Sequence, residues 1–108
     1  MYKEAQSFFS KGIALCNEDR SNVYQTLLLN LGNCYRKMKL FNNAIDVLMK
    51  LYNIDSRNVD VLNCIGYTYS LVGNYSSAVE YLQKANFIYS KDKFAVEMMS
   101  KCINDMEN

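Results

Sequence analysis

The hydrophobic and polar positions of this chain follow the period of an α-helix along almost its whole length. Apolar side chains three or four residues apart lie on one face of a helix, so each such run predicts an amphipathic helix. Breaks at 39–42 and 73–75 join the runs in pairs, and Gly73-Asn74 predicts a left-handed turn in the second break. The pattern predicts two helical hairpins, with polar caps at Asp55-Ser56 and Ser90-Lys91-Asp92. The four runs are Leu27, Leu28, Leu31, Tyr35, Met38; Ala44, Ile45, Leu48, Leu51; Leu62, Ile65, Tyr69, Val72; and Ala78, Val79, Leu82, Ala85.

The second hairpin repeats the first 34 residues later, so that Gly32 falls on Gly66. We call this spacing the repeat offset. A glycine inside a helix costs about 1 kcal/mol against alanine, so both glycines predict that a neighbouring helix comes too close for a side chain. Ala44 and Ala78 are the predicted opposing contacts. The predicted repeat-packing residues are Gly32, Tyr35, Ala44, Leu48, Gly66, Tyr69, Ala78 and Leu82.

The order of these residues resembles the tetratricopeptide repeat. Leu31-Gly32, Tyr35, Phe41, Ala44 and Leu48 carry the resemblance over residues 25–58, and their counterparts carry it over 59–92. Leucines at 28 and 62 stand where tryptophan is usual, and serines at 56 and 90 stand where proline is common. The resemblance implies an all-α fold: an α-solenoid of antiparallel helix hairpins, with about six helices.

Half-repeats are predicted on both sides of the two hairpins. The pattern of a second helix recurs at Tyr2, Ala5, Phe9 and Gly12, and this helix is predicted to end at 17–19. Residues 20–24 then add a turn to the next helix, capped by Ser21. Five apolar residues give a last helix of the first-helix type: Phe94, Val96, Met99, Ile103 and Met106. The prediction is one domain over 1–108, divided into 1–19, 20–58, 59–92 and 93–108.

Charge and cysteine content narrow the class of partner. Lys+Arg number 12 and Asp+Glu 11, so no strong field recruits nucleic acid or a membrane surface. The segment at 27–31 is too short to span a bilayer, and no signal sequence opens the chain. The four cysteines are widely spaced and there is no histidine, so we expect free thiols in a reducing, cytoplasmic compartment, no metal and no cofactor. Two disulfides are the alternative that four cysteines leave open.

Catalytic constellations are missing from the sequence. Without histidine, the usual general base and the Ser-His-Asp and Cys-His arrangements are absent. No glycine-rich phosphate loop occurs either. The sequence therefore predicts a protein that is not an enzyme.

The resemblance implies a binding site for another protein or peptide on the concave face, which the first helix of each repeat lines. Residues that recur at the repeat offset and are not used for packing belong there. Asparagine amides can bind the backbone of an extended peptide, and Tyr67 offers a flat anchor with a polar tip. The alternative is that these residues are merely solvated helix faces. The predicted groove residues are Thr26, Asn30, Asn33, Lys37, Asp60, Asn63, Tyr67, Glu97 and Lys101.

One ligand mode of the family can be rejected from the sequence. Co-chaperone tetratricopeptide domains hold the C-terminal carboxylate of heat-shock proteins with lysine, asparagine and arginine side chains. Of the matching positions, Asn33 alone agrees with that set, and a carboxylate without cations would be desolvated without compensation. The other four positions hold Leu29, Cys64, Phe94 and Met98.

Assembly is the competing function. The unmated first and last helices are complementary in kind, so copies of this chain could meet end to end or exchange helices as a homo-oligomer. A further interpretation is that the chain is a fragment of a longer solenoid in a multiprotein complex. The sequence identifies neither the partner nor the pathway.

Overall fold

The computed structural model describes residues 1–16, 22–91 and 93–107, and the side chains of all of these except Leu15 and Cys16. The described residues form six α-helices and no strand, which confirms the predicted all-α fold of helical hairpins. The helices are α1 (Tyr2–Cys16), α2 (Asn22–Lys37), α3 (Phe41–Ile54), α4 (Val59–Leu71), α5 (Tyr75–Ile88) and α6 (Lys93–Glu107).

The chain divides into two compact units, Met1–Ile54 and Asp55–Asn108, which we call the N-terminal and C-terminal units. In the N-terminal unit α2 packs against both α1 and α3. In the C-terminal unit α5 packs against α4 and α6, and α4 also contacts α6. The single domain over 1–108, with its division into repeats and half-repeats, stays a prediction.

Each unit has its own core, built from one face of each helix. Burying a leucine or isoleucine side chain stabilises a fold by about 1.5–3 kcal/mol, so these faces hold the hairpins together. The N-terminal core comprises Tyr24, Leu28, Leu31, Cys34, Ala44, Val47, Leu48 and Leu51. The C-terminal core comprises Val61, Leu62, Ile65, Thr68, Ala78, Leu82, Ala85, Ala95 and Cys102.

The close approach predicted at the two helical glycines is present, but its main partner is a leucine. A Cβ placed on Gly66 would lie 2.6 Å from Leu82 Cγ and 3.2 Å from the carbonyl oxygen of Ala78. At Gly32 the nearest atoms belong to Leu48, at 3.2 Å. The expectation that the alanines form the opposing contact is therefore incomplete. They contribute only backbone carbonyls, because the leucine one turn later reaches furthest towards the glycine.

Both hairpins close with the same backbone turn. Gly73 has a φ of 82° and Lys39, its counterpart in the first hairpin, a φ of 63°. The amide that follows each of them donates back to the carbonyl five residues earlier, Asn74 to Tyr69 at 3.0 Å and Leu40 to Tyr35 at 2.8 Å. This is the Schellman arrangement that ends many helices. The left-handed turn predicted at Gly73 is thus present, whereas the break predicted at 39–42 is shorter, since α3 already begins at Phe41.

The helix caps differ from the predicted ones. Asn58, and not Asp55-Ser56, caps α4, because its side chain accepts a hydrogen bond from the amide of Val61. Asp55 Oδ1 instead accepts from the amide of Arg57 at 3.0 Å. The predicted helix exit at 17–19, the cap at Ser21 and the cap residue Asp92 lie outside the described residues.

Candidate functional site

In the N-terminal unit the predicted groove residues lie along α2. Thr26, Asn30, Asn33 and Lys37 are three or four residues apart, so the helix places them in one row. Thr26 and Lys37 are exposed and the two asparagines are half-buried. The row therefore presents two amides between a hydroxyl and an ammonium group.

Side chains of α1 contact α2 near the C-terminal end of this row. Lys37 Nζ lies 5.6 Å from the centroid of the Tyr2 ring, within the range of a cation–π interaction. Gln6 Nε2 donates to the Tyr35 hydroxyl at 3.4 Å and to Ser10 Oγ at 3.1 Å. The contacts of Lys37 with Tyr2 and of Gln6 with Tyr35 join α1 to α2. They were not expected from the helical pattern, which assigned Tyr2 to packing.

In the C-terminal unit the predicted residues come from two helices, α4 and α6. Tyr67 on α4 is half-buried and meets the Phe94 ring of α6 edge to face, with centroids 6.3 Å apart and planes at 73°. Asp60 is exposed in the first turn of α4, where the helix dipole favours a negative charge. Glu97 and Lys101 are exposed one turn apart on α6. The α4–α6 face thus joins an aromatic anchor to charges of both signs.

A cavity of about 230 Å³ opens between α4, α6 and the start of α5. It brings together two of the predicted groove residues, Tyr67 and Lys101, while Asp60, Asn63 and Glu97 are not among the residues that line it. Its wall combines polar and apolar groups. The lining residues are Tyr67, Ser70, Leu71, Tyr75, Met98, Lys101, Cys102 and Asp105.

The thiol at the floor of this cavity is held neutral. Cys102 is 1% exposed, and burial raises the pKa of its thiol above the usual 9.0, with the Asp105 carboxylate adding to the rise and Lys101 opposing it. A buried thiol that stays protonated is a poor nucleophile and a poor metal ligand. Cys102 therefore contributes a small, polarisable surface and no thiol chemistry.

Asn63 is half-buried, and its Oδ1 lies below the surface. It follows Leu62, which is fully buried, and precedes Cys64, which is half-buried. That the Asn63 amide binds the backbone of a peptide stays a prediction.

Helices α1 and α6 each keep an exposed apolar face. Val96, Ile103 and Met106 on α6 are 45–47% exposed, and Phe8 on α1 is 68% exposed. The repeat offset carries Leu62 of α4 onto Val96, yet Leu62 is fully buried. The predicted last helix is therefore amphipathic, but most of the apolar residues that defined it face solvent, while Ala95 and Cys102 face the core.

Six of the eight residues that line the cavity are not among the predicted groove residues, because the repeat offset identifies equivalent positions on one helix and not the gaps between helices. They are Ser70, Leu71, Tyr75, Met98, Cys102 and Asp105. For Cys102 a signal existed: the repeat offset carries Thr68 onto it, and Thr68 is buried. This repeat position therefore predicts a side chain that is buried between the helices.

Two general features of the described chain bear on the site. None of its helices is long and apolar enough to cross a membrane. Within the same residues, no three side chains of histidine, cysteine, aspartate or glutamate come together as a metal site.

Similar proteins carry the same repeat. The tetratricopeptide repeat family matches residues 25–58 and 59–86. The cell division cycle protein 16 homolog of Homo sapiens is 32% identical over 106 residues, which are 94% of this chain and 17% of that protein. The chain therefore spans less than a fifth of the length of this relative.

Solved structures show the same fold. The APC/C hetero-tetramer Cut9-Hcn1 matches with a TM-score of 0.86 at 22% identity, over 94% of this chain and 20% of that one. The first tetratricopeptide repeat domain of Spaghetti (RPAP3), bound to the HSP90 peptide SRMEEVD, matches with a TM-score of 0.85 at 16% identity, over 99% of this chain and 81% of that one. The resemblance predicted from the sequence is confirmed by the family match and by these folds. The chain belongs to the tetratricopeptide repeat family.

Proposed function

We propose that this chain is a protein-interaction module that binds a peptide or helix of a partner protein on the first-helix faces of its units. The observation that carries the proposal is the α4–α6 face, where Tyr67 stands against Phe94 at the edge of a cavity that also presents Lys101. Half-buried aromatic side chains beside a pocket are the residues that supply most binding energy in interfaces. Catalysis is not part of the proposal, since the one thiol in the cavity is held neutral and the chain has no histidine to act as its base.

The row on α2 supports the same function. Asn33 is half-buried on α2, between the half-buried Asn30 and the exposed Lys37 of the same row. An amide can donate to and accept from the backbone of an extended peptide. The row Thr26, Asn30, Asn33 and Lys37 therefore fits a polar backbone, whereas the α4–α6 face fits a side chain.

The bound peptide is not expected to be a C-terminal carboxylate of the heat-shock type. The structure of the RPAP3 domain contains an HSP90 peptide, but four of the five clamp positions implied by the family are Leu29, Cys64, Phe94 and Met98 here. A carboxylate placed among them would lose its hydration without gaining a cation. We propose an internal peptide segment or a helix as the ligand.

Capture of partners from a lysate of the source organism tests this proposal. The immobilised chain should retain a partner that Asn33→Ala and Tyr67→Ala each lose, because truncation of an anchor side chain typically costs about 2 kcal/mol or more. The matched controls are Asn43→Ala and Phe87→Ala, both on exposed positions of second helices. Far-UV circular dichroism and thermal melting check that each variant is folded. Capture that both groove variants leave intact contradicts the proposal.

Assembly through α1 and α6 is the second candidate, favoured by the exposed apolar faces of these helices. It includes self-association of this chain and the stacking of a longer tetratricopeptide array in a multiprotein complex. Static light scattering over a range of concentrations should then show a rising mass, abolished by Met99→Glu or Phe9→Glu. A constant monomer mass at every concentration contradicts self-association.

We also propose that the protein acts in a reducing compartment such as the cytoplasm. Cys34, Cys64 and Cys102 are free thiols, and buried free cysteines behave as small apolar residues. Titration with a thiol reagent after denaturation under non-reducing conditions should detect all four thiols, whereas a disulfide would remove two.

A further inference from the structure

We infer that the cavity of the C-terminal unit is a receptor for one tyrosine side chain of the partner. The inference rests on the proposed function, which gives the partner, and adds which of its side chains enters the unit and why. It draws on the size of the cavity, the chemistry of its wall and the two charges on α6.

The size of the cavity fits one ring. An apolar cavity of about 150 Å³ holds benzene, and this one measures about 230 Å³. That volume accommodates a ring with a polar substituent, and it is too small for the backbone of a helix. A single side chain is therefore the natural occupant.

The apolar wall suits an aromatic ring. Two sulfur-containing residues, Met98 and Cys102, and two aromatic residues, Tyr67 and Tyr75, line the cavity. Sulfur atoms and ring edges make favourable contacts with the ring of a guest. Tyr67 is already oriented by its edge contact with Phe94, so the wall is formed before a ligand arrives.

The polar part of the wall selects the substituent on that ring. Lys101 and Asp105 lie one turn apart on α6 and both line the cavity, so an anionic guest that pairs with Lys101 would also face Asp105, and a cationic guest that pairs with Asp105 would also face Lys101. A phenol hydroxyl both donates and accepts, and can donate to Asp105 while it accepts from Lys101. The Ser70 hydroxyl donates to the Tyr67 carbonyl at 2.6 Å, so Lys101 and Asp105 are the charged groups of the wall that select the substituent. The neutral Cys102 thiol adds no charge of its own, because burial raises its pKa.

Small aromatic probes test the inference on the whole chain without knowledge of the partner. Titration of 4-methylphenol, the tyrosine side chain itself, into the isotopically labelled protein should give saturable NMR shifts at Ser70, Leu71 and Met98. Toluene should bind about two- to tenfold more weakly, the ratio that a net hydrogen bond supplies. The charged analogues 4-methylbenzoate and 4-methylbenzylammonium should also bind more weakly than 4-methylphenol. Tighter binding of either ion, or no saturable shift up to the solubility of 4-methylphenol, overturns the inference.

Two variants locate the probe. Met98→Trp should fill the cavity and abolish the shifts, whereas Val96→Trp on the exposed face of the same helix should leave them unchanged. Should Met98→Trp not fold, Lys101→Met provides the second test: it should remove the preference for 4-methylphenol over toluene, since the selecting ammonium is gone. A preference that survives Lys101→Met contradicts the inference.

The same variants separate this inference from the proposed function. Partner capture that Tyr67→Ala abolishes, combined with no probe binding, leaves the interaction module standing and removes the tyrosine receptor. Probe binding combined with capture that Tyr67→Ala and Asn33→Ala leave intact shows that the cavity takes an aromatic ring, but it removes both the proposed groove and the partner's tyrosine as the occupant.

Discussion

The hairpin α2–α3 and the hairpin α4–α5 build the same turn and the same glycine contact from different residues. The second hairpin has glycine at the left-handed position and an asparagine that caps the next helix, since Asn74 Oδ1 accepts from the Ser77 amide at 3.3 Å. The first has Lys39 and Leu40 at those places. The second hairpin, however, has the tighter helix contact, with 2.6 Å at Gly66 against 3.2 Å at Gly32.

This difference distinguishes the conformational preference of the turn residues from the packing of the helices. The first hairpin keeps a strained lysine and an uncapped position, so its turn must be imposed by the buried faces of α2 and α3. In the second hairpin, the glycine and the asparagine cap favour the turn by residue type. The closer helix contact at Gly66 leaves less space there for an added side-chain atom. Substitutions at equivalent positions of the two hairpins should therefore have unequal effects on stability.

The largest difference is expected at the packing glycines. Gly66→Ala should lower the free energy of unfolding by up to about 2 kcal/mol, because overpacking costs about 1–3 kcal/mol and the gain in helix propensity returns about 1 kcal/mol. The carbonyl of Ala78, 3.2 Å from the added Cβ, is backbone and cannot rotate away.

Gly32→Ala is the matched variant in the first hairpin. The added Cβ would meet Cγ and Cδ2 of Leu48, both at 3.2 Å. A shift of this side chain by a fraction of an ångström relieves the contact, so the net change should stay within about 1 kcal/mol of zero. Urea unfolding followed by circular dichroism measures both variants. Equal losses at the two glycines would contradict the comparison.

The turn residues should respond in opposite directions. Gly73→Ala should destabilise the protein by about 1–2 kcal/mol, the cost of a left-handed conformation for a residue with a Cβ. No atom lies within 4 Å of that Cβ, so backbone strain alone is measured. Lys39→Gly should stabilise by about 0.5 kcal/mol, since relief of strain exceeds the added entropy of the unfolded chain. Thermal melting of both variants checks the signs, and a loss of stability in Lys39→Gly contradicts this explanation.

The helix cap after each turn should give a smaller effect. Asn74→Ala removes the acceptor for the Ser77 amide and should cost about 1 kcal/mol. Leu40→Asn introduces the missing acceptor before α3 and should gain about 0.5 kcal/mol, because Leu40 is 42% exposed and has little burial to lose. Asn53→Ala, exposed in the last turn of α3, is the control that tests asparagine removal away from an N-terminal cap. An equal loss in Asn53→Ala would mean that capping is not the cause.

The fold could be predicted from the sequence because the spacing of apolar residues and the repeat offset extend over whole helices. The residue types of Gly73-Asn74 predict the left-handed turn of the second hairpin. The repeat offset carries Lys39 onto Gly73, but lysine has no local preference for that conformation. Leu82 was predicted to pack, yet its approach to Gly66 depends on side-chain reach and not on spacing. The cap at Asn58 was missed because Asp55 and Ser56 are equally good caps by residue type. For the site, Tyr67 and Lys101 follow from the repeat, whereas Ser70 and Tyr75 depend on how α4, α5 and α6 meet.

The smallest effect concerns the column that Cys34, Thr68 and Cys102 share at the repeat offset, all three buried. The Thr68 hydroxyl donates to the Cys64 carbonyl at 2.7 Å, whereas Cys102 has a thiol whose pKa is raised by burial.

A raised pKa in the folded state means that the unfolded chain releases this proton first, so stability falls as the pH rises above about 9. Other groups titrate there too, so the measurement is the difference between the wild type and Cys102→Thr, which replaces the thiol with the residue of the equivalent column. The wild type should lose more stability between pH 8 and pH 10, by no more than about 1.4 kcal/mol per pH unit, the limit for one proton. Parallel pH profiles for the two proteins would show that the thiol does not contribute.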